Sequence, residues 1–334
     1  HHLSGGLTTN LPTMRILSGI QPSGSLHLGN YFGAIEQFLN FQKKGAELFI
    51  FVADLHALTT TRNAEELRKN SFEVAAAFIA LGLTGEQTIL YRQSDVPEVL
   101  ELSWILACLA PMGLLERAVS FKDKVAKGIE ANVGLFNYPI LQAADILAMQ
   151  PDKIPVGKDQ KQHLEITRDL AEKFNSTFNG NLKLPEAEIP KTAAVVPGTD
   201  GEKMSKSYGN TIEIFAEENI LKKQVMGIVT NSTPKGEPLD YSKCNVFALF
   251  KLLVNEDEAH DLAEKYRNGE VGYGDAKKML LEKILEKFGA ARKRFAELLK
   301  NPAAVEKILE NGGEKARAEA RKNLGVIRER VGLK

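Results

Sequence analysis

The sequence is poor in cysteine and contains no long apolar run. Two cysteines occur in 334 residues, Cys108 and Cys244, far apart and without any Cys-x-x-Cys pair. This spacing argues against a zinc site, an iron-sulfur cluster or a redox dithiol, and it predicts a reduced, cytoplasmic setting. No apolar stretch reaches the roughly 20 residues of a membrane-spanning helix, so we expect no membrane segment.

The chain also lacks an excess of charge of either sign. Lysine plus arginine and aspartate plus glutamate both number 43, so the formal net charge is zero. Such a chain has no overall field that attracts a polyanion, although a local basic patch is enough to bind one. Residues 117–127 and the tail from Glu314 are locally basic. Each patch is either a solvated face or a surface that binds phosphate groups.

Tryptophan is equally scarce, and the one residue of this type, Trp104, lies in the apolar stretch 99–115. That stretch is more apolar than one buried helix face requires, which is typical of a helix at a subunit interface. We expect Trp104 to pack in the core or in an interface between two copies of the chain. We expect Cys108 to be a small core residue.

What the chain does contain is the composition of a globular protein long enough for two domains, with 43% hydrophobic and 26% charged residues. From Met14 to about residue 190, strand-like apolar runs alternate with amphipathic helical stretches, which predicts a mostly parallel α/β sheet with helices on its faces. Beyond Thr211 only helical patterns occur, and Gly312-Gly313 is expected to separate them from a basic tail helix. We therefore predict an expression remnant at 1–13, an α/β domain at 14–207 and a helical domain at 208–334.

Residues 21–30, at the end of the first strand, form a turn with two glycines and one histidine. Gly24 can adopt backbone angles that other residues avoid, and Gly29 leaves room for a flat ring against the backbone. The helix that follows offers free N–H groups to an anion. Taken alone, the turn is either a tight structural bend or one half of a nucleotide site.

Two further strand ends carry polar residues. The second strand, 47–53, leads directly into Asp54 and His56, and the fourth, 154–157, ends before Asp159. Because the carboxyl ends of parallel strands face the ligand crevice, these residues are candidates for a site. Local alternatives stay open: Asp54 and His56 could hold their own loop, and Asp159 could cap the next helix.

Asp145 stands out on the helix predicted for 135–149. Tyr138, Gln142, Asp145 and Met149 recur at spacings of four, three and four, so they share one face. A carboxylate on an apolar helix lowers stability unless a donor reaches it. That donor belongs either to the protein itself or to a substrate.

The segment Lys203-Met204-Ser205-Lys206-Ser207 has two lysines and two serines within five residues, between glycines on both sides. A loop of this composition suits the binding of a triphosphate by point charges and hydroxyls. It indicates the second half of the nucleotide site that began at residues 21–30.

These motifs carry a resemblance to a known family. His27-Leu28-Gly29-Asn30 resembles the HIGH signature of class I aminoacyl-tRNA synthetases, and Lys203 to Ser207 spells their KMSKS signature. Within that class the chain resembles the bacterial-type tryptophanyl-tRNA synthetases along nearly all of its length from Met14. The other matching segments are 18–24, Tyr138-Pro139, 143–147, Val156-Gly157, Asp159-Gln160, 272–275, Lys315-Ala316 and Gly332-Leu333.

The resemblance implies a Rossmann-like catalytic domain and a helical domain that binds the tRNA anticodon, and leaves open a C-terminal helix that packs back on the catalytic domain. It implies tryptophan activation by ATP and transfer to tRNA(Trp), with substrate-bound Mg²⁺, no metal held by the protein and a homodimer. The catalytic residues would be His27, Asn30, Lys203 and Lys206. The ATP-binding residues would be Gln21, Pro22, Ser23, Gly29, Asn30, Lys124, Gly157, Lys158, Asp159, Val196, Lys203, Met204, Ser205, Lys206 and Ser207. Tryptophan would contact Asp145, Tyr138, Gln21 and His56.

Two positions depart from the family pattern: Lys158 is positive where relatives often have glutamate or glutamine, and Leu17 stands where some have an aromatic residue. The nearest rival interpretation is a tyrosyl-tRNA synthetase, which shares the fold and both signatures. A nucleotidyltransferase would not need residues 203–207 before a helical domain. A catalytically idle RNA-binding relative is expected to have lost one of the two motifs, and both are present.

Overall fold

The computed structural model describes residues 13–157, 160–189 and 195–334. Within these residues one sheet of five parallel strands forms, in the spatial order β3-β2-β1-β4-β5. The parallel α/β sheet expected from the sequence is therefore confirmed. The strands are β1 (Arg15–Ile20), β2 (Glu47–Val52), β3 (Thr88–Arg92), β4 (Lys153–Pro155) and β5 (Glu186–Glu188).

Helices cover both faces of the sheet and form the named elements that follow β5 in the described part of the chain. In the first part of the chain they are α1 (Leu28–Asn30), a π-helical turn (Tyr31–Ile35), α2 (Glu36–Lys43), α3 (Asp54–Ala57), α4 (Ala64–Ala80), a 3₁₀ turn (Gln93–Asp95), α5 (Glu98–Ala107), α6 (Met112–Glu116), α7 (Val119–Ala126), α8 (Val133–Met149) and α9 (Lys161–Phe178). In the second part they are two 3₁₀ turns (Lys206–Tyr208 and Tyr241–Lys243), α10 (Glu218–Met226), α11 (Asn245–Leu253), α12 (Glu256–Arg267), α13 (Tyr273–Lys300) and α14 (Pro302–Val331). None of the described helices is both long enough and apolar enough to span a bilayer.

The order of the strands determines where a ligand can bind. β2 reads Glu-Leu-Phe-Ile-Phe-Val and is buried on both faces, as a central parallel strand must be. The chain passes from β1 to β2 and β3 on one side, and then returns to β4 on the other side of β1. The crevice of such a sheet opens where the direction reverses, beyond the carboxyl ends of β1 and β4. The turn at 21–30 and Gly157 follow those two strands.

The apolar stretch 99–115 does not form the single helix that its composition suggested. α5 ends at Ala107, and α6 begins only after Pro111, which cannot continue the α5 hydrogen-bond ladder. The prediction that Cys108 is a core residue is wrong, because this cysteine is exposed. Trp104 is 71% exposed, so it does not belong to the core of the single chain.

The expected helix break at Gly312-Gly313 is also wrong, because α14 runs through both glycines without interruption. The glycines are needed for close packing instead. A Cβ on Gly312 would lie 1.9 Å from the backbone oxygen of Leu90 in β3, and one on Gly313 would lie 3.1 Å from Cβ of Asp95. A side chain at Gly312 would hold the helix away from the strand. The double glycine therefore allows α14 to pack against β3.

Three basic residues of the tail pair with acidic residues on the α/β part of the chain. Arg317 and Arg321 both donate to Oε1 of Glu98, at 2.7 and 3.0 Å, and Arg328 pairs with Glu101. These contacts hold α14 against α5. For these three arginines the structure replaces both earlier interpretations, the free solvated face and the phosphate-binding surface, with ion pairs inside the chain.

Candidate active site

The turn after β1 is held by a reciprocal pair of hydrogen bonds between His27 and Asn30. His27 Nδ1 accepts from the backbone N–H of Asn30 at 3.3 Å, and Asn30 Oδ1 accepts from the backbone N–H of His27 at 3.0 Å. This is a capping arrangement at the start of α1, in which each side chain satisfies a backbone donor. The arrangement leaves Nε2 as the ring nitrogen of His27 that is available to a ligand.

His27 is an uncharged group at neutral pH. Burial, reinforced by the nearby charge of Lys206, lowers the pKa of His27 to about 4. With Nδ1 accepting a hydrogen bond, the neutral ring carries its proton on Nε2. His27 can therefore donate a hydrogen bond to a phosphate oxygen but does not supply a positive charge.

The two motifs that lie far apart in the sequence touch each other in the fold. Lys206 donates from Nζ to the backbone oxygen of Ser23. Gly24 lies beside this contact with a φ of +94°, and a Cβ there would lie 1.9 Å from Nζ of Lys206. Gly24 is thus required twice, for its left-handed backbone and for the space that the lysine occupies.

The loop at 203–207 is anchored to the turn and to the segment before it. Sδ of Met204 accepts from the backbone N–H of Gly29 at 3.3 Å, and the backbone N–H of Met204 bonds to the oxygen of Val196 at 2.8 Å. Asn210 accepts from the N–H of Ser205 and donates to the oxygen of Lys203. Ser205 and Ser207 hydroxyl oxygens lie 3.0 Å apart. A Cβ on Gly29 would lie within 2.9 Å of His27 ring atoms, so this glycine makes room for the histidine.

A cavity of about 150 Å³ lies beside the turn, at the carboxyl ends of β1 and β4. Gln21 and Tyr138 meet on its wall, where Gln21 Nε2 donates to Tyr138 Oη at 2.7 Å. Burial and the charge of Asp145 raise the pKa of Tyr138 to about 12, so the phenol remains protonated. The residues lining the cavity are Leu17, Ser18, Gly19, Gln21, Phe51, Ala53, His56, Tyr138, Gln142, Ile146, Ile154, Pro155, Val156 and Gln160.

Lys124 lies at the same wall, with its Nζ 5.0 Å from the centre of the Tyr138 ring. This is within the range of a cation–π contact, and burial lowers the pKa of Lys124. Lys124 is predicted to bind the phosphates and Tyr138 to contact tryptophan. Their contact therefore lies between the expected ATP site and the expected tryptophan site.

Asp145 lies behind the cavity wall and has donors from the protein itself. It is 3% exposed, its Oδ2 is 2.8 Å from His56 Nε2, and both of its oxygens lie within 2.9 Å of Gln93 Nε2. Burial raises the pKa of Asp145, and the hydrogen bonds from His56 and Gln93 act against that rise. Nδ1 of His56 has no partner among the residues that the structure describes.

The predicted residues that can be placed fall around this crevice. Gln21, Pro22, Ser23, Gly29 and Asn30 form the turn, and Gly157 follows β4 beside the cavity residue Val156. Lys158 and Asp159 lie outside the described residues. Asp54 does not line the cavity. It accepts hydrogen bonds from the backbone N–H and the hydroxyl of Ser94, which agrees with the interpretation that it holds its own loop.

Sequence reasoning missed Gln93, Gln142 and Gln160. Gln93 directly follows β3, so the rule that strand ends face the crevice could have found it. Gln142 shares the helix face of Asp145 and accepts a hydrogen bond from His163 Nδ1 at 2.8 Å. An uncharged glutamine gives no signal of a functional site in the sequence, because its role depends entirely on which donors and acceptors surround it in the fold.

Two further features of the structure bear on where a ligand or a metal ion could bind. A larger cavity of about 540 Å³ lies at the opposite end of β1, where Arg15, Asp152, Lys183 and Glu319 line it. Within it Arg15 pairs with Glu319 and Lys183 pairs with Asp152, so these charges already have partners inside the protein. Among the described residues, no group of three or more His, Cys, Asp or Glu side chains is arranged to hold a metal ion.

Comparison with known proteins gives a consistent result along the chain. The family model described as tRNA synthetases class I (W and Y) matches residues 9–289. A tryptophan–tRNA ligase of Campylobacter jejuni (strain RM1221) is 49% identical over 320 residues, which cover 96% of this chain and 100% of that relative. The tryptophan–tRNA ligase of Fusobacterium nucleatum is 50% identical over 96% of this chain and 98% of its own length.

Solved structures agree with these similarities. The crystal structure of tryptophanyl-tRNA synthetase from Campylobacter jejuni, complexed with ADP and tryptophan, matches with a TM-score of 0.92 at 49% identity and covers 96% of this chain and 100% of that one. A tyrosyl-tRNA synthetase from Archaeoglobus fulgidus matches with a TM-score of 0.65 at 21% identity, covering 86% and 91% of the two chains. At that identity the second likeness extends to the fold alone.

Proposed function

Because this chain belongs to the class I tRNA synthetases for tryptophan and tyrosine, we propose that the crevice between β1 and β4 is where it activates its amino acid with ATP. The activity is that of a tryptophan–tRNA ligase, as in relatives about half identical over nearly the whole chain. The observation that carries the proposal is the contact of Lys206 with Ser23, which joins the two motifs beside the cavity.

The first step forms tryptophanyl-adenylate. A carboxylate oxygen of tryptophan bonds to the α-phosphorus of ATP while the bond to the leaving oxygen breaks and pyrophosphate departs. Negative charge grows on the phosphate oxygens, so the protein must position the reactants and supply donors and positive charge. We assign the charge to Lys203 and Lys206, and hydrogen-bond donation to Nε2 of the neutral His27. Asn30 holds the histidine in place.

ATP is expected to contact the backbone and side chains around the two motifs. We propose Gln21, Pro22, Ser23, Gly29 and Asn30 on the turn, Gly157 after β4, and Val196 for the adenine. Lys203, Met204, Ser205, Lys206 and Ser207 would surround the phosphates, with Lys124 approaching from the side of Tyr138. The proposal also includes Lys158 and Asp159, with Asp159 at the ribose, although both lie outside the described residues.

Magnesium would enter with the nucleotide. The described part of the chain has no cluster of carboxylates to hold the ion by itself, so its ligands would be the phosphate oxygens. The ion would neutralise part of the charge on the leaving pyrophosphate.

The tryptophan ring is expected to occupy the cavity, against Tyr138, His56 and Gln21, with its N–H directed at Asp145. A site with a buried carboxylate disfavours a side chain that cannot donate to it, because the acceptor position that His56 and Gln93 leave open on Asp145 would stay unpaired away from water. Sites of this kind can reject an apolar analogue by about 10⁴-fold. Phenylalanine would be excluded in this way.

The second step moves the tryptophanyl group to tRNA(Trp). A ribose hydroxyl at the 3′ end of the tRNA attacks the carbonyl carbon, and AMP leaves. We propose that 14–207 carries this chemistry and that the helices of 208–334 contact the anticodon, with α14 returning to β3. The setting proposed for the reaction is the cytoplasm.

A homodimer is the proposed assembly. Trp104 and Leu100 on α5, together with Met112 on α6, leave 71%, 48% and 63% of their surfaces exposed. Leu100 and Trp104 lie one turn apart on α5, and exposed large apolar side chains are typical of an interface, which a second copy of the chain would cover.

The experiment that tests the function is ATP–pyrophosphate exchange, measured separately with tryptophan and with tyrosine. We expect exchange with tryptophan at a kcat/KM at least 10³-fold above that with tyrosine. Faster exchange with tyrosine would overturn the assignment in favour of the tyrosyl alternative.

A further inference from the structure

We propose that Gln93 is a positioning residue that sets how Asp145 receives the indole N–H of tryptophan. The inference rests on the proposed function, in which Asp145 faces the tryptophan ring. Gln93 is 1% exposed and opens the 3₁₀ turn Gln93–Asp95 at the end of β3. Its Nε2 is hydrogen-bonded to both oxygens of Asp145, so we assign it an action through Asp145 rather than on the substrate.

The orientation of the Gln93 amide is determined by its surroundings. Its Oε1 accepts from the backbone N–H groups of Leu55 and His56, at 3.0 and 3.2 Å. Two backbone donors allow only an acceptor at that position, so Nε2 must face the other way, toward Asp145. The same turn is tied to α3 a second time, because Ser94 donates to Asp54 from its backbone N–H and its hydroxyl.

The contacts of Asp145 leave room for one more donor. A carboxylate accepts about four hydrogen bonds, two at each oxygen. Oδ2 has His56 Nε2 and Gln93 Nε2 at 2.8 Å, and Oδ1 has Gln93 Nε2 at 2.9 Å. One acceptor position therefore remains, on Oδ1. An indole ring has one N–H donor, which matches the one acceptor position that remains on Asp145.

Gln93 thus does two things that Asp145 cannot do alone. It prevents the carboxylate from rotating, because the amide lies across both oxygens. It also compensates the charge of a carboxylate that is withdrawn from water, which would otherwise favour the protonated form. A protonated Asp145 would be a weaker acceptor for the indole N–H.

The ionisable groups that face Asp145 come from three elements. They are His56 on α3, Tyr91 on β3 and Tyr138 on α8. Burial raises the pKa of Tyr91 well above its usual value and that of Tyr138 to about 12, so both phenols remain neutral up to pH 8. A carboxylate introduced at position 93 would add a charge directly against Asp145.

The test compares Gln93→Glu with Gln93→Met. Glutamate keeps the acceptor for Leu55 and His56 but places a second carboxylate against Asp145, and two carboxylates at that distance share one proton. We expect the Kd for tryptophan, measured by calorimetric titration, to rise at least 10-fold at pH 8 while the KM for ATP changes less than twofold. At pH 6 the shared proton restores a donor, so Gln93→Glu should recover most of its affinity relative to wild type at that pH. Gln93→Met, which has no proton to gain, should remain weak at both values.

Gln42 provides the matched control. It also bridges two segments, accepting from the N–H of Gly85 and donating to the oxygen of Gly82, but it lies on α2 away from Asp145. Gln42→Met should lose stability without any change in tryptophan affinity. Wild-type affinity in Gln93→Glu at pH 8, or an affinity loss that is equal at pH 6 and pH 8, would overturn the proposal even if Gln93→Met failed to fold. Failure of the function itself would look different, because the wild type would then not activate tryptophan.

Discussion

His27 illustrates how a motif residue acquires its chemistry from its neighbours. A histidine beside a phosphate site can serve as a cation, but burial and Lys206 keep His27 neutral above a pKa of about 4. As a neutral hydrogen-bond donor, His27 can stabilise the negative charge that develops on a phosphate oxygen, and it does not repel the positively charged lysines nearby. We therefore propose that the positive charge at this site comes from the lysines and from the magnesium of the nucleotide, and not from His27.

At the residue scale, we predict that Lys206→Met slows adenylate formation by about 10²-fold or more, because a charge aimed at the developing phosphate charge is lost. Single-turnover measurement of tryptophanyl-adenylate is the assay. Tryptophan affinity should be unchanged, since Lys206 contacts Ser23 and does not line the cavity. Lys222→Met, on the exposed face of α10, should have no effect. Wild-type single-turnover rates in Lys206→Met would exclude the role proposed for this lysine.

At the scale of elements, α14 and β3 lie closer together than side chains usually permit. The contact depends on Gly312, whose Cα faces the oxygen of Leu90. A helix that crosses the edge of a parallel sheet normally keeps its distance because side chains separate the two backbones. Here the absence of one Cβ brings a helix from the end of the chain onto β3, the strand that Gln93 directly follows.

We predict that Gly312→Ala destabilises the protein by about 1–3 kcal/mol, the usual cost of overpacking, because a backbone atom must move. Gly325, on the same helix, has open space where its Cβ would be, so Gly325→Ala should instead stabilise by up to about 1 kcal/mol. Urea unfolding of both variants measures the change in the free energy of unfolding, which should be negative for Gly312→Ala and positive for Gly325→Ala. Equal effects of the two substitutions would mean that α14 does not pack on β3 as described.

At the scale of the whole molecule, ion pairs join the two ends of the chain. Burial opposes ionisation of Glu98, but Arg317 and Arg321 outweigh it and hold the pKa of this carboxyl below its usual range. Glu319 is buried in a similar way, and its pKa is lowered by Arg15. Both pairs connect α14 to the α/β part, one through α5 and the other through β1.

These pKa directions predict how attachment of α14 depends on pH. A carboxyl with a folded-state pKa below its unfolded value contributes stability above the unfolded value, near 4.5, and loses it as the pH falls through the folded value. We therefore expect amide exchange in α14 to accelerate more than exchange in α4 as the pH falls below 4.5, after correction for intrinsic rates. Glu98→Gln should show part of this acceleration already at pH 7. Uniform exchange behaviour of the two helices would contradict the prediction.

The proposed dimer is tested at the same scale. We expect sedimentation velocity to give a dimer for the wild type and a monomer for Trp104→Glu, because a charge is costly at the centre of an apolar interface. Leu299→Glu, another exposed apolar position but on α13, should remain dimeric. A monomeric wild type at micromolar concentration would rule out the assembly.

Local patterns in the sequence were enough to predict the parallel sheet, the turn at 21–30, the lysine-rich loop at 203–207 and the unusual Asp145. Each of these predictions depends on residues that are neighbours in the sequence. The signals are the spacing of apolar residues for the sheet, glycines for the turn, lysines and serines between glycines for the loop, and a charge on an apolar helix face for Asp145. The tertiary structure alone decided that Gln93 bonds to Asp145, that Gly312 meets Leu90, that Lys206 reaches Ser23 and that Trp104 is exposed. Three of these are contacts between residues far apart along the chain, and the exposure of Trp104 depends on how whole elements pack. Periodicity within one element carries no information about which partner the fold will bring to it.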